Sequence, residues 1–339
     1  MIKEAIASIV SGHSLTTEEA ALVMEEIMEG KATPAQLGAF MTALRIKGET
    51  ADEIAGLASV MRAKAIRVIT ADPVIDIVGT GGDNSNTFNI STAAAFVVAS
   101  AGLKVAKHGN RAMSSQCGSA DVLEALGIKI DLNAEQVQRC IREVGIGFMF
   151  SPLFHPAMKY ASAPRREIGI RTVFNILGPL TNPARAEYQV TGAPSEELGI
   201  KMASALHRLG IKHSLVVHGL NGMDEISITD ASIIWEVKKG EEIAPPYYVS
   251  PEDFGLKRAS VNTIRGGTVA ENAKILHSVL TGEKGPRRDV VLINAAAALV
   301  AGEKAQSLQQ GIKLARESID SGKAVDKLEQ LIRFSQSIT

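Results

Sequence analysis

Apolar residues recur at helical spacing through residues 1–68 and give way to short uninterrupted runs after Asp72-Pro73. Thr17, Glu18 and Glu19 open a periodic stretch through Leu22, Val23 and Ile27 that stops at Gly30. Thr33-Pro34 begins the next, with proline in a first turn where no intrahelical N–H is lost, and Phe40, Met41 and Leu44 carry its apolar face to Gly48. Thr50, with Glu53 three residues on, caps a third helix through Leu57 and Met61. No alternating β-branched segment interrupts these stretches. A small all-helical unit is predicted.

Beyond it, residues 74–78 (VIDIV) form an apolar run that ends in Gly79-Thr80-Gly81-Gly82, and a helical stretch at 91–101 follows and stops at Gly102. The same order returns with 104–107 before a Gly-Asn loop and a helix at 120–126, and with 188–192 before a helix at 196–209. Further runs lie at 146–150 and 214–218. Strands apolar on both faces, alternating with helices, predict a central, mainly parallel sheet flanked by helices. From Glu271 the pattern is helical again, at about 271–281, 287–301, 304–319 and 323–334, while Pro245-Pro246-Tyr247-Tyr248 reads as a connection. The expected fold class is α/β: a small N-terminal all-helical domain plus a larger domain built on that sheet.

Composition narrows the function more than the fold. Lys+Arg number 36 and Asp+Glu 37 in 339 residues, a net charge of −1, so no long-range field favours nucleic acid or a membrane surface. Aromatic residues, at 4%, offer few platforms for stacking single-stranded bases. The longest apolar stretches, near 93–103 and 290–301, fall short of the roughly 18–20 residues that span a bilayer. The N-terminus has no leader-like apolar core, so a soluble cytoplasmic protein, mature from its first residue, is expected. Cys117 and Cys140 belong to no CxxC pair and give no support to a zinc site or a disulfide framework.

The candidate chemistry lies at the ends of the apolar runs. Glycines in Gly79-Thr80-Gly81-Gly82-Asp83 let backbone N–H groups approach a phosphate beside a helix N-terminus, although an ordinary tight turn has the same composition. No Lys-Ser/Thr follows Gly82, which excludes a Walker A loop, and Asn84 breaks the dinucleotide fingerprint. Asn86, Thr87, Asn89, Ser91 and Thr92 supply more hydroxyls and amides than one cap requires. In the second cluster, Lys107, His108, Gly109, Asn110 and Arg111 precede Ser114, Ser115 and Ser119. These suit phosphate oxygens, or else two solvated cations and a serine cap. Asp224-Glu225, after the 214–218 strand, are hard ligands of the kind Mg²⁺ takes, or a solvated surface pair. Arg165, Arg166 and Arg171 can grip a carboxylate, or cap helices and pair with Glu167.

Together, GTGGD at 79–83, NIST at 89–92, KHGNR..SS..GSAD from 107 to 121, RT.FN.LGPL.NP from 171 to 183 and HG..G.DE from 218 to 225 resemble the anthranilate phosphoribosyltransferases over essentially the whole chain. The resemblance implies transfer of the phosphoribosyl group from 5-phosphoribosyl 1-pyrophosphate (PRPP) to the amino group of anthranilate. The products are N-(5-phosphoribosyl)anthranilate and pyrophosphate, in tryptophan biosynthesis (EC 2.4.2.18), with two Mg²⁺ per subunit. It also implies a helical domain over 1–70 joined by a helical segment at about 160–185, an α/β domain over 71–159 and 186–339, and a homodimer formed through the helical domain.

By the same resemblance, Gly79, Gly82, Asp83, Thr87, Asn89, Ile90, Ser91 and Thr92 hold the donor together with Lys107, His108, Gly109, Asn110, Arg111, Ala112, Met113, Ser114, Ser115 and Ser119. Ser91, Asp224 and Glu225 hold the metal. Gly79, Asn110 and Arg165 meet anthranilate, Arg165 opposing its carboxylate, and Pro152, His155 and Tyr160 line the approach. No general acid or base is assigned; His108 is placed either to orient the amine and relay a proton or only to shape its loop. Two other readings are a pyrimidine-nucleoside phosphorylase of related fold, which would lack the KHGNR and DE segments in this form, and a non-enzymatic paralogue that binds nucleic acid. Near-neutral charge opposes the latter.

Overall fold

The computed structural model describes residues 1–83, 85–112 and 116–338, so the expectations on Met113, Ser114 and Ser115 lie outside the described residues. Four helices come first: α1 (Ile2–Val10), α2 (Thr17–Met28), α3 (Pro34–Lys47) and α4 (Ala51–Lys64). The starts of α2, α3 and α4 are fixed by reciprocal capping boxes, Thr16 with Glu19, Thr33 with Gln36 and Thr50 with Glu53. Phe40, Met41, Leu44 and Leu57 meet in a buried core, as their helical spacing predicts.

Seven strands follow: β1 (Val74–Gly79), β2 (Lys104–Gly109), β3 (Ile146–Phe150), β4 (Tyr188–Gly192), β5 (His213–Gly219), β6 (Ser232–Lys238) and β7 (Tyr247–Val249). They form one sheet in the order β3-β2-β1-β4-β5-β6-β7, parallel through β5. The last two strands are antiparallel and were not among the expected ones. Tyr247 and Tyr248 therefore belong to an edge strand, not to a connection. Only Pro245 and Pro246, which have no N–H to donate to a ladder, stay outside it.

The nearly all-buried helices Ile90–Ser100 and Pro286–Ala301 pack together on one side of the sheet. The helix Glu196–Arg208 lies between the other side and α4, with Gly199 against the Trp235 ring, so the four-helix unit is continuous with this layer. The segment expected to be helical at 160–185 is broken. The helix Lys159–Ile168 ends at Gly169 with φ +69, and only short turns, Phe174–Leu177 and Gly178–Leu180, follow.

Strand order reverses at β1, because the chain runs outward to β2 and β3 and then returns to β4 and β5 on the other side. The crevice beyond the carboxyl ends of β1 and β4 is where open α/β sheets place ligands.

Candidate active site

At that crevice Gly79 and Gly192 stand side by side in register. The chain returning from β5 crosses them. A Cβ on Gly192 would come 1.5 Å from the Asp224 carbonyl oxygen, and one on Gly79 would come 2.2 Å from Asp224 Oδ2. These two glycines are the space that Asp224 fills. Gly81 and Gly82, with φ of +68° and +67°, turn the loop so that the Gly81 N–H donates to Asp224 Oδ2 at 2.8 Å.

Asp83 Oδ2 accepts from the Asp224 N–H at 3.4 Å, and carboxylate oxygens of Asp83, Asp224 and Glu225 lie within 4.8 Å of one another. Burial, then the Asp83 charge, pushes Asp224 up to about 6; burial and Asp224 push Glu225 well above the usual carboxylate range. Glu225 Oε2 is buried with no hydrogen-bond partner among the described residues. An all-oxygen donor set with an orphaned oxygen fits Mg²⁺, whose charge favours the ionised acids.

Gly79→Ala tests this packing, because an added methyl must displace the Asp224 carboxylate. Turnover is expected to fall about 100-fold, the scale of an ångström's misplacement at a reacting centre. Steady-state kinetics beside a melting curve checks it, and a wild-type rate would mean that Asp224 moves aside freely.

Opposite the acids lies a cationic and hydroxyl-rich wall. Lys107 Nζ, buried, donates to the Ile77 carbonyl at 2.6 Å and to Ser91 Oγ at 3.3 Å. Burial draws Lys107 down to about 8 against the pull of Asp76 and Glu225. The helix Ile90–Ser100 starts without a side-chain cap. Asn89, which could cap it, instead donates from Nδ2 to the Cys117 carbonyl at 3.1 Å and accepts from Asn272 Nδ2 at 3.2 Å. Thr80 Oγ1 and Thr92 Oγ1 are buried without partners among the described residues. An uncapped helix start, unsatisfied hydroxyls and a buried ammonium form an anion cradle.

His108 and His155 close one end, their ring centroids 5.1 Å apart. His108 Nδ1 faces the Gly178 carbonyl at 3.2 Å, while Nε2 of each ring is buried and unpartnered among the described residues. Beneath them buried Asp76 accepts from the His108 N–H at 3.3 Å and from Asn182 Nδ2 at 2.7 Å, joining β1, β2 and the segment that follows the Gly178–Leu180 turn.

Burial pushes His108 down to about 3, helped by His155, and His155 down to about 4. The unfolded chain therefore binds protons below about pH 6.5 that the folded chain refuses, so stability falls as pH drops from there toward 4. For His155 the loss by pH 4 is on the order of 3 kcal/mol. His155→Gln should flatten the acid side of the melting-temperature profile accordingly, and an unchanged slope would reject the assignment.

Arg165 extends from the helix Lys159–Ile168, its guanidinium 5.3 Å from the centre of the Phe174 ring. Among the described residues it has no carboxylate partner, and Glu167 does not pair with it. Arg171, to which the sequence assigned no single role, reaches across the cleft. Its Nη2 donates to the Gly81 carbonyl at 2.8 Å and its Nη1 to that of Gly82. These bonds satisfy the carbonyls of the loop whose Gly81 N–H holds Asp224.

Other expected residues are engaged with their own neighbours. Arg111 is exposed and held by Asp121 at 3.0 Å and Glu124 at 2.8 Å. Asp121, not Ser119, serves the next helix start, accepting from the Gly118 and Ala112 N–H groups. Ser119 Oγ donates to the Asn110 carbonyl at 3.3 Å, and a Cβ on Gly109 would meet that hydroxyl at 2.2 Å. Thr87 bridges to Arg265 at the cleft edge, and Ile90 is fully buried under it. Pro152 is exposed, and Tyr160 lays its ring on Gly30 of the helical unit.

Two family descriptions cover the chain: "Glycosyl transferase family, helical bundle domain" at residues 3–65 and "Glycosyl transferase family, a/b domain" at 71–325. An anthranilate phosphoribosyltransferase of Dehalococcoides mccartyi is 65% identical over 338 residues, covering 100% of this chain and 99% of that protein. The crystal structure of the anthranilate phosphoribosyltransferase of Thermus thermophilus is 44% identical with a TM-score of 0.92, covering 98% of this chain and 99% of that one. That of Saccharomyces cerevisiae, in complex with PRPP and Mg, is 30% identical with a TM-score of 0.90 over 99% and 98%. With this identity sustained from end to end, the chain belongs to the anthranilate phosphoribosyltransferase family.

Proposed function

We infer that this protein transfers the phosphoribosyl group of PRPP to the amino group of anthranilate, releasing pyrophosphate, in tryptophan biosynthesis. The observation that carries the reading is the cluster of Asp83, Asp224 and Glu225 at the strand-order reversal, at the same end of the sheet as the unsatisfied Thr80, Thr92, His108 and His155 atoms. Buried polar atoms without partners cost about 1–3 kcal/mol each, and a polar ligand relieves that cost.

The amine of anthranilate is already nucleophilic, so the hard step is loosening the bond from ribose C1 to pyrophosphate. Positive charge grows on the sugar and negative charge on the leaving group, which makes positioning and electrostatics the main contributions. We assign Gly79, Gly82, Asp83, Thr87, Asn89, Ser91 and Thr92, with Lys107 and the loop that follows it, to the donor. The bare helix start and the Lys107 ammonium attract its phosphates. Ser91, Asp224 and Glu225, with Asp83 beside them, are assigned to Mg²⁺. When bound, the metal neutralises charge on the departing pyrophosphate. Arg165 is assigned to the anthranilate carboxylate, and neutral His108 and His155 to the wall beside its ring.

Two ions per subunit, a helical domain over 1–70 completed by 160–185, and a homodimer through that domain belong to the same reading. Exposed Val10 and Ile46, on the packed helices α1 and α3, support the dimer. No helix among the described residues is long and apolar enough to cross a membrane, and we assign the work to the cytoplasm. Anthranilate fluorescence tests the function: it should fall with PRPP and Mg²⁺ present and persist when either is omitted. No loss in the complete mixture would overturn the reading.

A further inference from the structure

A cavity of about 830 Å³ opens at the opposite end of the sheet, where β4 and β5 begin and β6 ends. Its volume is in the range of small-molecule pockets. The cations on its wall are Arg62 of α4, Arg185, Lys212, Lys238 and Lys239. Three carboxylates, Glu187, Glu241 and Glu303, share it.

Two of the lysines are already neutralised. Lys212 Nζ lies 3.1 Å from Glu303, and Lys238 Nζ lies 3.0 Å from Glu236. The two arginines are not. Arg62, partly buried, donates from Nε to the Leu180 carbonyl, and no carboxylate among the described residues pairs with it or with Arg185. Burial and the charge of Arg185 draw the Arg62 guanidinium down to about 10.

Across this space the Arg185 charge acts on the partly buried Arg62, and Glu187 and Glu241, on the same wall, pair with neither arginine among the described residues. A dianion matches the two charges, and the planar forks of arginine suit phosphate oxygens in pairs. We propose that this cavity is a second anion site, separate from the acidic crevice, in which Arg62 and Arg185 hold a small phosphate-bearing molecule.

The probe is inorganic phosphate, titrated calorimetrically into the wild type and into Arg185→Gln, Arg62→Gln and Lys107→Gln. Lys107 belongs to the donor cradle at the other end of the sheet, so its variant reports phosphate bound there. Two classes of site are expected. One survives Lys107→Gln and is weakened threefold or more by Arg185→Gln. Arg62 also supports Leu180, so its variant can fail to fold, whereas exposed Arg185 makes no side-chain bond among the described residues and keeps the test decisive. Turnover of Arg185→Gln without phosphate should equal that of the wild type. Weakening of less than threefold in Arg185→Gln, or a single class of site abolished by Lys107→Gln, would overturn the proposal.

Discussion

Replacing Asp224 with asparagine and Glu225 with glutamine together is expected to lower turnover by about 1,000-fold, roughly 4 kcal/mol of transition-state stabilisation, and to abolish its dependence on Mg²⁺. The amides keep the shape that Gly79 and Gly192 accommodate but cannot supply the charge that draws a divalent ion. The fold should not suffer. Asp224 is pushed up to about 6, so its folded form holds a proton that the unfolded form has released, and stability contributed by this group falls as pH rises from about 4 to 6. Above that window the full penalty is present in the metal-free protein. A neutral amide removes it. Melting curves of both proteins at pH 8, with and without Mg²⁺, therefore separate lost chemistry from lost structure. Without metal the double variant should melt at or above the wild type, while added Mg²⁺ should raise the wild-type midpoint and leave the variant's unchanged. Mg²⁺-dependent turnover in the variant would remove these acids from ion binding.

Much of the architecture was legible because its determinants are local. Capping boxes mark α2, α3 and α4, and four of the five parallel strands end in the glycines that punctuate the sequence. The helix Ala134–Glu143, absent from the expectations, carries the same signal in Asn133 and Gln136. What was not legible depends on contacts between distant segments. Gly192 looks like the end of a strand until the loop after β5 lays Asp224 across it. Arg171 lies about ninety positions from the glycine loop whose carbonyls it holds, so no spacing rule connects them. Arg111 shows the opposite case. Its placement in KHGNR suggests a phosphate ligand, yet Asp121 and Glu124, one helical turn apart on the following helix, hold its guanidinium. β6 returns antiparallel because residues 220–231 form the irregular loop that carries Asp224 and Glu225 and no crossover helix, and β7 follows it antiparallel at the edge.

Arg165→Ala should raise the KM for anthranilate about 100-fold while changing the KM for PRPP less than threefold. The size follows from a charge-assisted, two-pronged contact in partly dry surroundings, worth about 2–3 kcal/mol, where every 1.4 kcal/mol is tenfold. The asymmetry follows from placement. Arg165 comes from the helix Lys159–Ile168 and lies over Phe174, whereas the groups assigned to the donor, Lys107 among them, come from the ends of β1 and β2 and the start of the helix Ile90–Ser100. Burial lowers the proton affinity of Arg165, and no acid of the described residues offsets it, so the guanidinium is left for a ligand to neutralise. Arg165→Lys separates charge from geometry: it keeps the cation and loses the planar fork, so its KM should lie between the other two. Equal increases in both Michaelis constants would place Arg165 outside the anthranilate site. A lysine variant no better than alanine would show that the fork, not the charge, selects the carboxylate.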